Sequence, residues 1–139
     1  MKQVLLDLNV VLDVILERQP HAETAARLWA ALETGRGKGY LPAHGMTTVY
    51  YLIEKARGAA FARQAIGALL AAFGVAPVNE AVLRRAIGLG WLDLEDGVCA
   101  AAAEAVGCDI IATRDPSGFP DSPVRVSDPT TVLAWLVAE

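Results

Sequence analysis

Three apolar residues, Val4-Leu5-Leu6, run directly into Asp7, and beyond them polar side chains recur at Asn9, Asp13 and Glu17 with apolar residues between. A short unbroken apolar run fits a buried strand. The spacing by four fits one face of a helix that begins near Asn9. Pro20 marks a turn, and HAETAARLWAALETG carries a helical period as far as Gly35. GYLP (39–42) reads as a brief strand. HGMTTVYYLIEKARG and AAFARQAIGALLAAFG then read as helices closed by Gly58 and Gly74. VAPV (75–78) is a candidate third strand, and Asn79 sits where it caps a helix reaching about Gly88.

The later part continues the alternation. DLEDGVCAAAAEAVG is a helix with an acidic start, and CDIIAT is a buried strand. TRDPSGFPDSP is a Pro/Gly-rich loop, VRV is extended, and a last helix is capped near Asp128-Pro129. Strands alternating with helices predict an α/β architecture with a small, mostly parallel sheet covered by helices. No repeat, linker or low-complexity segment interrupts it, so residues 1–139 are expected to form a single domain.

Composition adds three constraints. The hydrophobic fraction is 54%, yet no apolar run reaches the roughly 18 residues a membrane span needs. The N-terminus has no charged n-region or cleavage site of a signal peptide, so a cytoplasmic protein without membrane association is expected. Cys99 and Cys108 match neither a redox motif nor a zinc ligand set, and read as small buried apolar residues. The net charge of −4 opposes binding to a polyanion unless a cation offsets the acidic groups.

The acidic residues are where chemistry is expected. Ligands of open α/β sheets gather at the carboxyl ends of the strands. Asp7 ends the first strand, Asp115 follows the DIIAT strand, and Asp93 and Asp96 open the helix between. Two carboxylates about 5 Å apart repel by roughly 3 kcal/mol at an effective dielectric near 20. Three such groups together approach about 10 kcal/mol, which is comparable with a domain's whole stability. A bound cation relieves that repulsion. Carboxylates without Cys or paired His suit Mg²⁺ or Mn²⁺ better than Zn²⁺.

Simpler roles stand beside this one. Asp7 and Asp93 are placed to cap helices, Asp93 and Asp96 are spaced as N-cap and N3, and Asp115 precedes Pro116 in a turn. Asp13 reads as part of a solvated or cleft-lining helix face. His21 and His44 have no ligand spacing, and GRGKG (35–39) follows a helix instead of a strand, unlike a phosphate loop.

Taken in order, LLDLNVVLD, LEDGVCAAAAEA and DIIATRD resemble the PIN domain family of metal-dependent ribonucleases, above all the single-domain VapC-type toxins of toxin–antitoxin modules. The resemblance runs from Asp7 to the PVRVSDPTTVL tail. It implies a three-layer α/β/α sandwich in which Asp7, Asp96 and Asp115 hold Mg²⁺ or Mn²⁺, with Asn9 and Thr113 in support. It also implies hydrolysis of RNA phosphodiester bonds, a homodimer, and a small antitoxin partner. Arg114, beside the site, is a candidate for holding the RNA backbone, as are Lys55 and Arg57.

The chain departs from the family pattern at two places. Thr48 occupies the slot where many members carry a glutamate, and Glu54, six residues on, faces another side of the helix. Gly118 precedes Phe119 where an aspartate is common. Asp93 is a candidate to make up the ligand set. These departures define the alternative, a catalytically degenerate module that binds an antitoxin or RNA without cutting. A phosphatase of the haloacid-dehalogenase type also begins with an acid after its first strand, but it needs a second aspartate where this chain has Asn9.

Overall fold

In the computed structural model, residues 1–138 are described. Five strands form one sheet, β1 (Gln3–Leu6), β2 (Lys38–Pro42), β3 (Gly74–Ala76), β4 (Ile110–Ala112) and β5 (Arg125–Ser127). Their order is β3-β2-β1-β4-β5, and every pairing is parallel. The sheet is therefore wholly parallel, more uniform than the mostly parallel one expected. VAPV contributes only its first two residues to β3, which begins one residue earlier, at Gly74.

Seven α-helices connect the strands: α1 (Leu8–Ile15), α2 (Ala22–Glu33), α3 (Met46–Arg57), α4 (Ala59–Ala72), α5 (Glu80–Leu89), α6 (Leu94–Val106) and α7 (Pro129–Val137). Short 3-10 turns at Ala43–Gly45 and Pro116–Gly118 complete the path. The period-two geometry of strands sends successive side chains to opposite faces. Val4 and Leu6 of β1, with Ile110 and Ala112 of β4, face a core built with α1, α2, α3, α4 and α7. Leu5 and Ile111 face the other core, built with α5 and α6. The result is a three-layer α/β/α sandwich.

Small residues set the second layer's distance from the sheet. Ala100 to Ala103 of α6 are all essentially inaccessible to solvent, so this helix lies close against the strands. Because α6 leads into β4 by way of Gly107, whose φ of +79° closes the helix in the left-handed region, its first turn lies at the carboxyl edge of the sheet. Asp7, the segment 113–115 and the start of α6 thereby meet at one edge.

Candidate active site

Asp7 leaves β1 in extended backbone and serves as the N-cap of α1. Its amide donates to the Ala112 carbonyl at 3.0 Å, which ties the end of β1 to the end of β4. The residue is only 8% exposed. Its Oδ1 accepts from the Leu8 amide at 2.8 Å, and its Oδ2 accepts from the Thr113 hydroxyl at 2.8 Å. The Cys99 thiol also points to Oδ1, at 3.8 Å. Burial raises the Asp7 pKa above the ordinary carboxylate value, and these donors oppose the rise.

Thr113 is wholly buried and joins two functional segments. Asn9 donates its side-chain amide to Thr113 Oγ1 at 3.2 Å, and the Asp115 amide donates to the same oxygen at 3.2 Å. Asn9 Oδ1 in turn accepts from the Arg114 amide at 3.3 Å. Asn9 and Thr113 thus fix the path of the chain between Asp7 and Asp115.

Asp96 enters from the other side. Its amide donates to Asp93 Oδ1 at 3.2 Å, so Asp93 is the N-cap of α6 and places Asp96 in the first turn. The Asp96 pKa is raised to about 7, first by burial, then by the charges of Asp7, Asp93, Glu95 and Asp115. The edge holds more negative charge than it can comfortably keep ionised. Asp115 Oδ1 accepts from the Ser117 hydroxyl at 2.7 Å, a side-chain contact in place of the Asx turn considered from the sequence, and Oδ2 points elsewhere. A Cβ placed on Gly118 would lie 3.2 Å from Asp115 Oδ2 and 3.2 Å from Asp96 Oδ2. Both carboxylates therefore border the space that Gly118 leaves open. Phe119 anchors this loop by an edge-to-face contact with Trp91, their centroids 5.7 Å apart.

An open cavity of about 320 Å³ surrounds that space, lined by Asp93, Asp96, Asp115, Ser117 and Gly118, with Trp91, Leu92 and Pro120 at its sides. Among the described residues, no three His, Cys, Asp or Glu side chains form a ready-made ligand cluster. The donor set is instead the carboxylates that line the cavity, Asp96 and Asp115 with Asp93 beside them, with room for water and with the buried Asp7 close by. Mg²⁺ is commonly held by one or two carboxylates and keeps several waters, so these residues fit a hard divalent cation.

The other candidates lie around this centre. Thr48 is half-buried on α3 and does not line the acid cavity. Lys55 is exposed, and Arg57 lies 3.9 Å from Glu17. Arg114 turns its guanidinium to Asp13, with Nε 2.6 Å from Oδ2. Asp13 is fully buried and lines a cavity, which excludes the solvated half of the sequence reading and keeps the cleft-lining half. Its Oδ1 accepts from Arg18 at 3.0 Å and from Arg114 at 3.3 Å. Oδ2 has no well-aligned hydrogen bond, but the adjacent Arg114 charge balances it. A second cavity, about 240 Å³, lies over this pair between Pro20, His21, Thr24 and Pro129.

Sequence reasoning missed three contributors. Asp13 is an internal counter-charge, Gly118 leaves the space between the acids, and His44 Nε2 reaches the Glu95 carbonyl at 3.3 Å, bracing the turn that carries Asp96. Arg114 and Glu95 reach Asp13 and His44 from distant segments, so no local spacing marks those two contacts.

The PIN domain model matches residues 3–117, and the chain belongs to the PIN domain family. Among solved structures, it is similar to the DNA-bound VapBC from Salmonella typhimurium, with a TM-score of 0.73 at 14% identity, covering 93% of this chain and 99% of that one. It is also similar to a toxin–antitoxin complex from Klebsiella pneumoniae, with a TM-score of 0.69 at 21% identity, covering 91% and 97%. A third is VapC20 of Mycobacterium tuberculosis, a Sarcin-Ricin loop cleaving toxin, with a TM-score of 0.65 at 16% identity, covering 78% and 86%. At these identities the likeness is one of fold. No curated protein sequence matches the chain. No helix among the described residues is long and apolar enough to cross a membrane.

Proposed function

We propose that this chain is a divalent-metal-dependent endoribonuclease, the toxin of a toxin–antitoxin pair acting in the cytoplasm. The observation that carries the reading is the convergence of Asp96 and Asp115 on the space beside Gly118, with Asp7 behind them, at the edge of a PIN fold. Asp96 and Asp115 would hold Mg²⁺ or Mn²⁺, and Asp7 would add its charge from the buried side. When bound, such an ion supplies charge neutralisation to a phosphoryl group and lowers the pKa of water.

The chain's own residues contribute position and field. Thr113 and the Leu8 amide orient the Asp7 carboxylate. Asp93 and His44 hold the first turn of α6, and Ser117 fixes Asp115 so that Oδ2 is its free oxygen. RNA would lie across the exposed acidic edge, with the Arg114 backbone at its margin. The antitoxin partner and the homodimer belong to this same reading. Exposed Tyr51, Leu83, Ile87, Leu92 and Leu94 offer apolar surface for such contacts.

One observation favours the non-cutting alternative: Thr48 and Gly118 bring no carboxylate to the site. Both readings meet in a single assay of labelled single-stranded RNA, with wild type and Asp96→Asn, each in Mn²⁺ and in EDTA. Cleavage by wild type with Mn²⁺ alone is expected. Intact RNA in every lane, together with retained RNA or antitoxin binding, would establish the binding module instead.

A further inference from the structure

We infer that the cavity over Arg114 is a phosphate subsite, which takes a backbone phosphate of the RNA next to the one that is cut. This rests on the RNA reading above and specifies how the chain would grip its substrate away from the acids. Position is the first support. Arg114 and Asp115 are consecutive, yet Arg114 lines this cavity and Asp115 lines the acidic one. The Thr113 amide donates to the Ser127 carbonyl at 3.0 Å, so the start of α7 flanks the same turn. A strand laid across the carboxyl edge meets both cavities in succession.

Charge and donors agree with that placement. Asp13 faces two guanidinium groups, with Arg18 Nε at 3.0 Å and Arg114 Nε at 2.6 Å, so the three side chains carry one net positive charge. Arg114 meets Asp13 side-on, through Nε and Nη2. Its Nη1 edge is left for a ligand, on a side chain 32% exposed, and an arginine fork matches phosphate oxygens. Asp128 also borders the cavity, but its two oxygens accept from the Thr131 amide and hydroxyl. Thr24 and Thr130 line the cavity with hydroxyls that have no partner among the described residues, and the exposed His21 does not cap α2. The volume of about 240 Å³ holds a phosphate with water. Among the described residues no Phe, Tyr or Trp lines it, and without such a stacking platform a phosphate fits better than a base.

Nitrogen-15 NMR of the full chain in EDTA tests this, because the cavity's donors belong to the protein and need no metal. The probes are a short single-stranded oligoribonucleotide, inorganic phosphate and uridine. The oligoribonucleotide should shift the Thr24, Arg114 and Thr130 amides saturably. Phosphate should shift the same set more weakly, and uridine should leave it unmoved. Thr24→Val combined with Thr130→Val should weaken RNA binding about ten-fold at unchanged salt dependence. Arg114→Met should make the slope of log affinity against log salt shallower by roughly 0.7, one phosphate contact on a single strand. Arg125→Met, which removes an exposed arginine at the start of β5, should not. Thermal melts verify that the variants fold. A response of these amides to uridine, or to phosphate but not to RNA, would overturn the subsite. So would a chain that cleaves RNA in Mn²⁺ yet shows none of these shifts, and the nuclease reading would then stand. Shifts without cleavage would keep the cavity as an RNA phosphate site and overturn the nuclease.

Discussion

The Thr113 hydroxyl donates to Asp7 Oδ2 at 2.8 Å, a hydrogen bond between two side chains that are both buried. It joins the ends of β1 and β4 below the cleft and holds a carboxylate in a place where burial disfavours its charge. Thr113→Val keeps the shape but removes the donor. Leaving a buried acceptor short of a partner costs roughly 1–3 kcal/mol, and the variant should lose about that much in urea unfolding. With one lowering influence gone, the Asp7 pKa should rise further. Any activity that requires ionised Asp7 should then show its acid limb displaced to higher pH, and an unmoved limb would mean that Thr113 serves stability alone.

Asp96 gives the protein a pH-dependent stability of unusual sign for a carboxylate. Its folded pKa of about 7 lies above the ordinary unfolded value, so the folded state holds the extra proton between those limits. Stability from this group is full below about pH 4 and declines as pH rises through about 7. Melts in EDTA across that range should show a falling Tm that Asp96→Asn flattens. Mn²⁺, binding only the folded site, should restore the wild-type Tm near neutral pH. The same fall in wild type and Asp96→Asn would remove Asp96 as its source.

Much of this arrangement was legible in the sequence because it is local. Val4-Leu5-Leu6 followed by Asp7 marks a strand that delivers an acid to an edge, and Asp93-x-x-Asp96 marks a capped first turn. Both rest on short-range geometry. Asp13 shows where that logic stops. Its spacing from Asn9 and Glu17 imitates a solvated face, and the decisive neighbour, Arg114, lies 101 positions away. Gly118 escaped for another reason: its contribution is an empty volume, which only the assembled walls define.

The buried Asp13 yields its own test. Arg18 and Arg114 flank it, each about a third exposed at the side chain, so either cation can turn to water but the carboxylate cannot. Removing both cations by Arg18→Met and Arg114→Met should destabilise by about 3–5 kcal/mol, the penalty of an uncompensated buried charge. Adding Asp13→Asn to that pair should recover part of the loss. Failure of the added substitution to recover stability would show that the arginines act by packing. In the same series, Arg114→Met alone reports whether RNA affinity and its salt dependence change beyond the loss in stability, which separates a substrate contact from a structural brace.

Asp93 poses the remaining question, since a cap and a metal ligand use the same carboxylate. It donates nothing and accepts from the Asp96 amide at 3.2 Å through Oδ1. Serine preserves a helix cap but not a charge, whereas alanine preserves neither. Asp93→Ser should therefore keep wild-type stability, while Asp93→Ala loses about 1 kcal/mol. Both variants remove one of the charges that raise the Asp96 pKa, so in both the stability decline with pH should be smaller and should end at lower pH. Mn²⁺ affinity should fall by less than about ten-fold, as expected for the loss of one neighbouring charge and not of a ligand. A much larger loss, equal in the serine and alanine variants, would place Asp93 among the ligands, because only the absent carboxylate is common to both.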